Sequence, residues 1–501
     1  MIERDSIQTT FSFSESDLAA LRQNAVPDPA ICAALRESIA AAEDHLSTLP
    51  SPDVSPVAAQ EDQVIRRYIA IASSRLAPVR RVPPELLSAI FRGVFLSNPP
   101  ITLGSTSPSP ISAVSSHWRA VAVSTPHIWT DFAISILGGQ NTLRTLELYL
   151  TRSHSVEIVL RIRAPNFTHM NQVNHTIVTK LLQASDRWAT ADLRLSHRLL
   201  PLFSTIRGRI SSLKSLSLYV DTEIRRWPAG GGEPQSPATD WDMFELAPRL
   251  DRVSLMGVNA IPRLPRDQVQ ELELAASESV PRLIRIASHF PHLRRLSFGG
   301  GFANPSIPSP GDVLHVSTLI SCGPVPLQTL QILSTPQLVH LHIRNERMQW
   351  KLPPFRDFIA RSGCTLTSLT IQSIILHGND LLEIFPFIRT VEALTFVTLP
   401  PNALLDKVMR ALTQSTPNSP LLPALKSLKI WGSYLFTNTA LIEMLESRTS
   451  PTIREMILHR VDLMIGHREF AAADVDRLRA LQGVAVTLNL LNGTKPHIRV
   501  I

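Results

Sequence analysis

At 501 residues, with 44% hydrophobic side chains and a mean hydropathy of +0.08, the chain can bury several cores and is too apolar for a disordered polypeptide. Its net charge of +7 is scattered over pairs such as Arg66-Arg67, Arg80-Arg81 and Arg294-Arg295, a pattern that argues against nucleic-acid binding. Three distant cysteines (Cys32, Cys322, Cys364) exclude a disulfide framework and a paired-cysteine zinc site. No apolar run reaches the ~18 residues of a membrane span, and Met1 to Asp5 lack a signal-peptide core, so a cytoplasmic or nuclear protein is expected.

In chain order, residues 1–25 are polar and are expected to form a disordered tail. Residues 26–76 follow as a helical hairpin. Ile31, Leu35, Ile39, Ala42 and Leu46 mark its first helix; Ile65, Tyr68, Ile69, Ala72 and Leu76 mark the second, all at three- and four-residue steps. A further module spans 77–135. Pro83-Pro84 opens a helix where a missing N–H costs nothing, and Glu85 favours its positive end. Leu86, Leu87, Ile90, Phe91 and Val94 then give it an apolar stripe. A second helix is expected over Ile111 to Val123, carrying Val114, Trp118 and Val121, and Ser124-Thr125-Pro126 begins a turn holding Ile128 and Trp129. Three helices this short bury too little surface to stand alone, so a partner is expected to complete their core.

These residues resemble a known family. Arg80 to Leu87, the Ile90-Phe91 pair, Trp118-Arg119-Ala120-Val121-Ala122 and Ser124 to Trp129 are similar to the F-box, in particular that of the large fungal F-box families. Val82 stands where leucine is usual, and Ser116-His117 where Cys-Arg or Cys-Lys often precedes the tryptophan. The resemblance implies docking onto a Skp-type adaptor, and through it a cullin, in a ubiquitin ligase. It implies that Pro83, Leu86, Ile90, Phe91, Val114, Trp118 and Trp129 form or support the adaptor-facing core, and leaves a protein substrate to a downstream region.

From 136 to 501 the pattern becomes Leu-x-x-Leu-x-Leu. It recurs at Leu143/Leu146/Leu148, Leu213/Leu216/Leu218, Leu250/Val253/Leu255, Val269/Leu272/Leu274, Leu293/Leu296/Phe298 and Leu338/Leu341/Ile343. Leu366/Leu369/Ile371, Val391/Leu394/Phe396, Leu425/Leu428/Ile430 and Ile453/Met456/Leu458 continue it. Most steps lie near the 20–29 residues of a leucine-rich repeat; the long step from Leu293 to Leu338 suggests a hidden repeat near Leu327/Leu330/Ile332. Helical patterns at Val280–Ala287, Asp380–Phe385 and Thr439–Leu445 sit between strands. The expected fold class is α/β (α+β): helical N-terminal modules, then an irregular leucine-rich-repeat-type solenoid interrupted by an exposed Gly- and Pro-rich loop at Pro228 to Pro237. An ordinary α/β domain is the alternative.

No catalytic motif emerges. Gly230-Gly231-Gly232 and Gly299-Gly300-Gly301 lack the Lys-Ser/Thr of a phosphate cradle, and Ser211-Ser212-Leu213-Lys214 lacks the companions of a Ser-x-x-Lys nucleophile. Neither an enzyme activity nor a cofactor is expected. Residues between the repeat leucines face away from the core, which places His340, His342, Arg344, Lys429, Trp431 and His459 on a candidate substrate face. Its basic lean suits an acidic or phosphorylated segment, with Trp431 as anchor. The expected function is a non-catalytic substrate receptor of a Skp–cullin–F-box ligase; a repeat scaffold that uses the helical module as a cap is the alternative.

Overall fold

The computed structural model describes residues 11–50, 56–97, 100–104, 110–164, 170–221, 241–257, 262–275, 280–299, 313–322, 326–344, 349–413, 421–432, 434–449, 458–465, 470–481, 484–490 and 498–500. The protein is mixed α/β with an open, parallel sheet. It divides into two compact units, Met1–Arg161 with Met170–Arg187, and Ile162–His169 with Trp188–Ile501.

The first unit contains α1 (Glu15–Arg22), α2 (Pro29–Thr48), α3 (Pro56–Leu76), α4 (Pro84–Ser97), β1 (Ile101–Thr102), α5 (Ser116–Val123), β2 (Asp131–Ser135), α6 (Gln140–Arg152), the first part of β3 (Ile158–Ala164) and α7 (Gln172–Gln183). Part of the expected disordered tail is in fact helical. Ser14 caps α1 by accepting from the Asp17 N–H, the Asp17 carboxylate accepts from the Ser14 N–H, and Arg75 of α3 donates to Asp17 at 2.7 Å. The helices α2 and α3 form the expected hairpin around Leu35, Ala42, Ile65, Tyr68 and Ala72, with Phe13 stacked on Tyr68.

Two further expectations need correction here. The stretch expected as one helix from Ile111 splits into a 3-10 turn, Pro110–Ala113, and α5. Ser115 causes the break, since its hydroxyl caps the new helix at the Trp118 N–H, 3.1 Å away. The first Leu-x-x-Leu-x-Leu is the helix α6, not a strand. Leu143 and Leu146 are also three apart on a helix, and with Tyr149 they make its buried face while Leu148 is exposed. Thr142 of α6 packs so closely on Gly104 and Gly138 that neither could carry a Cβ, and Gly104 has φ +88° besides. The missed strand lies just before, in Trp129-x-x-Phe132-x-Ile134, where Phe132 and Ile134 point inward along β2 and Phe132 pairs in register with Ile101 of β1. The positions 76 and 135 both fall inside one compact unit: Arg80 donates to the Leu21 carbonyl and accepts from the Asn24 amide across the first, and Trp129 packs on Tyr149 of α6 across the second.

The second unit contains β4 (Trp188–Ser196), α8 (Leu200–Phe203), β5 (Ser215–Asp221), β6 (Arg252–Met256), β7 (Glu271–Ala275), α9 (Val280–Ala287), β8 (Arg295–Phe298), β9 (Thr318–Cys322), α10 (Pro326–Ile332) and β10 (His340–Arg344). It continues with α11 (Leu352–Ser362), β11 (Ser368–Gln372), α12 (Gly378–Ile384), β12 (Ala393–Val397), α13 (Asp406–Leu412), β13 (Ser427–Gly432), α14 (Asn438–Thr449), β14 (Arg460–Ile465), α15 (Ala472–Arg479), β15 (Ala485–Leu490) and β16 (Ile498–Val500). Between β4 and β15 successive strands pair parallel, an order compatible with a solenoid, and β16 closes it antiparallel on β15. Leucines at alternate positions are buried in strand after strand, for example Leu216, Leu272, Leu341, Leu369 and Leu428, and each is worth about 2 kcal/mol of burial.

The hidden repeat exists, but not where expected: Leu327 to Ile332 belong to α10, and the strand is β9, with buried Val316 and Leu319. Ser321 at the third position broke the pattern. The last repeat is shifted as well. Its apolar positions are Leu458, Val461 and Leu463, since Val461 pairs with Leu428 and Leu463 with Ile430. Ile453, Met456 and the tract Pro228 to Pro237 lie outside the described residues.

A second device, absent from any leucine count, holds successive turns together. In the second unit Arg361 at the end of α11 donates to the carbonyls of Leu330 and Leu333, which end the preceding helix. Arg448 of α14 donates to Leu412 at the end of α13 and to Leu421 and Leu422. In the first unit Arg187 does the same for Leu150 of α6 and for Val156. Each guanidinium satisfies helix-terminal carbonyls that have no intrahelical partner. Burial holds the Arg448 pKa down at about 10.

Candidate functional site

Two surfaces carry the residues singled out by sequence, one in each unit. In the first, Pro83 and Pro84 start α4, and the Leu87 N–H closes the first turn on the Pro83 carbonyl at 3.0 Å. The helix then sorts its apolar residues onto two faces. Leu87 and Phe91 are buried, Phe91 against Trp118 with ring centroids 5.1 Å apart, while Ser88 is tied to Thr125 of the turn after α5 at 3.0 Å. The neighbouring face carries Leu86, Ile90 and Val94, which are 57%, 51% and 43% exposed. Ala89 and Gly93, also exposed, lie between them, so positions 86, 89, 90, 93 and 94 make one continuous apolar or small-residue column on a helix. Nothing lies within 4 Å of where a Cβ on Gly93 would be. Pro83 begins the same exposed face, and Val114, after the 3-10 turn, is exposed too.

Two of the residues expected to form or support the adaptor-facing core lie in the interior, behind the exposed ones. Phe91 and Trp129 are 1% and 2% exposed. The Trp129 indole N–H donates to the Ala122 carbonyl at 2.8 Å, its ring meets Tyr149 edge-on at 5.0 Å, and the Arg152 guanidinium lies 4.5 Å above it. The same burial pushes the Tyr149 phenol up to about 12. Trp118 is half-buried behind Phe91. Helical periodicity marks a stripe wide enough to cover both faces and does not say which edge of it meets the interior.

In the second unit the sheet register sets the other surface. His340, Ser368, Ala393, Ser427 and Arg460 form one row across β10 to β14; His342, Thr370, Thr395, Lys429 and Asp462 form the next; Arg344, Gln372, Val397, Trp431 and Met464 form the third. Five of the six expected face residues are thus brought together. The exception is His459, which precedes β14 and aligns with Lys426 at the strand edge. The expectation followed from the misplaced last repeat; Arg460 and Asp462 occupy the face instead. Leu458-x-x-Val461-x-Leu463 was the signal that would have found them.

On this face His342 Nε2 contacts the Gln372 amide oxygen at 3.1 Å, and burial pulls the imidazole below its ordinary pKa. Asp462 faces both Arg460 at 2.9 Å and Lys429 at 3.6 Å. Trp431 is 40% exposed and held from behind by the Tyr434 hydroxyl, which donates to the Trp431 carbonyl at 2.7 Å. Beyond the strand ends Ser373 and Thr398 adopt left-handed φ of 54° and 47°, and their hydroxyls pair at 2.7 Å. For a β-branched residue such as Thr398 that backbone costs about 1–2 kcal/mol. Exposed Ile375 and Leu435 follow on the same edge. Sequence reading missed all four.

Among the described residues no group of three or more His, Cys, Asp or Glu is arranged to hold a metal ion, and no helix is long and apolar enough to cross a membrane. No protein-family model matches the chain, and no curated protein matches it.

Proposed function

We propose that this protein is a non-catalytic substrate receptor of a Skp–cullin–F-box ubiquitin ligase. It would dock on a Skp-type adaptor, and through it on cullin, by an F-box-like module at residues 77–135, and would hold a protein substrate on an irregular leucine-rich-repeat-type array. The observation that carries the reading is the exposed column Leu86, Ala89, Ile90, Gly93 and Val94 on α4, which falls in the stretch that resembles the F-box. Apolar side chains repeated at helical spacing on a solvent face are the anchors of helix-in-groove recognition. Covering Leu86, Ile90 and Val94 would return about 3 kcal/mol of apolar burial. Ubiquitin chemistry belongs to the other subunits in this scheme, so the chain contributes position and no catalytic group, and it works in the cytoplasm or nucleus.

The test is co-elution of the full chain with a purified Skp-type adaptor. Wild-type protein should form a stoichiometric complex, and a Pro83→Ala/Leu86→Ala/Ile90→Ala variant should not. Equal behaviour of the two proteins would reject the reading.

A second reading draws on a separate observation. Phe91 and Trp129 are buried within the chain, as expected if the helices only cap a repeat scaffold. That scaffold would bind partners through the array alone, and would ignore both the adaptor and the substitutions on α4.

A further inference from the structure

The rows across β10 to β13 are uneven in a way that shapes a trough. At its sides stand long side chains, His340 and Arg344 on β10 and Lys429 and Trp431 on β13, while the half-buried His342 leans onto β11. Between them β11 and β12 present Ser368, Thr370, Ala393, Thr395 and Val397, none of them charged and none longer than valine or threonine, while Gln372 is engaged with His342. At about 4.8 Å per strand, the two walls stand about 14 Å apart over a floor two strands wide, room for one polypeptide segment about 10 Å across. The hydroxyls of Ser368, Thr370 and Thr395 give that floor donors and acceptors for a bound backbone.

Charge decides which segment. Among the described residues that face outward along β10 to β14, Arg344, Lys429 and Arg460 outnumber the one carboxylate, Asp462, which faces Arg460 and Lys429. The corresponding face of β6 to β8 is balanced, with Arg252 and Arg295 beside Glu271 and Glu273. At the end of the trough where the strands finish, Trp431, Ile375 and Leu435 offer exposed apolar surface.

We infer that the trough between β10 and β13 binds an acidic polypeptide segment that carries an apolar residue, seated by its charge along Arg344 and Lys429 and anchored at Trp431. This deepens the proposed function by giving the class of substrate, and it rests on that reading only for the consequence of binding, since the trough can be probed with no adaptor present.

The probes are fluorescein-labelled 12-residue peptides containing one leucine and otherwise rich in glutamate, in glutamine or in lysine, titrated into the full chain and followed by anisotropy. The glutamate peptide should bind at least tenfold tighter than the glutamine peptide, with the lysine peptide weakest. The double reversal Arg344→Glu/Lys429→Glu should weaken the glutamate peptide at least tenfold, whereas Arg252→Glu on β6 should change it less than twofold. Thr395→Tyr, which fills the floor and leaves the charge unchanged, should also weaken it at least tenfold. A circular dichroism melt within a few degrees of wild type qualifies each variant. The inference is overturned if the glutamate and glutamine peptides bind alike, if Arg252→Glu costs as much as the trough reversal, or if Thr395→Tyr has no effect. None of these outcomes bears on adaptor co-elution, so the two proposals fail separately.

Discussion

The helix α4 and the strand β11 handle apolar residues in opposite ways. Along β11, Leu369 and Ile371 are wholly buried and the alternating positions are Ser368, Thr370 and Gln372, so the strand is finished within its own fold. Along α4, Leu87 and Phe91 are equally buried, yet the other side still carries Leu86, Ile90 and Val94 in solvent. A strand with one polar face leaves no row of apolar side chains in solvent. A helix with apolar residues on two faces has one face left over, and scattered single exposures do not explain a column of this regularity. That difference is the one on which the proposed docking at α4 rests.

Substitutions on the two faces of α4 should therefore part company. The largest expected effect is on the inner side: Phe91→Ala or Trp129→Ala should cost about 3–5 kcal/mol in denaturant unfolding, since each empties a filled interior site. Next comes the array, where Arg448→Met should cost about 3 kcal/mol. It strips hydrogen bonds from the carbonyls of Leu412, Leu421 and Leu422 and returns only the packing of its stem. A double substitution on the outer face, Leu86→Lys/Ile90→Lys, should change unfolding by only about 0.5 kcal/mol while abolishing adaptor binding. If the outer pair destabilises as much as the inner pair, the comparison between the faces breaks.

The smallest expected effect is one of pH. Burial lowers the His342 pKa in the fold, so in the acid range the unfolded chain takes up more protons at this position than the folded one. Stability should then fall as pH drops below about 6.5, the ordinary imidazole value, and continue to fall until the folded-state pKa is passed. His342→Gln should flatten that part of the pH–stability curve. An unchanged slope would mean that His342 does not titrate between the two states.

Much of the array was legible because it repeats. Leu213/Leu216/Leu218 and Leu366/Leu369/Ile371 announced their strands correctly, since a buried parallel strand must place apolar groups at fixed positions. The failures are equally physical. Leu143, Leu146 and Leu148 satisfy a strand and a helix alike at that length, and the tie was settled by packing of Tyr149 against Trp129. The strand β9 went unseen because Ser321 stands at an apolar position, and the last repeat was read five residues early, which put His459 on the face in place of Arg460 and Asp462. The arginine clamps, the Ser373–Thr398 pair and the split of α4 into two faces depend on residues far apart in the chain. No local spacing encodes them.

The central claim is that the outer face of α4 is a docking surface, and amide hydrogen exchange on the full chain with and without a Skp-type adaptor tests it most directly. Exchange over residues 84–97 and 110–123 should slow when the adaptor is present, and should not in the Leu86→Lys/Ile90→Lys protein, with β4 to β15 unchanged in both. Exchange over 84–97 that the adaptor leaves untouched, or slows equally in the lysine variant, would contradict it.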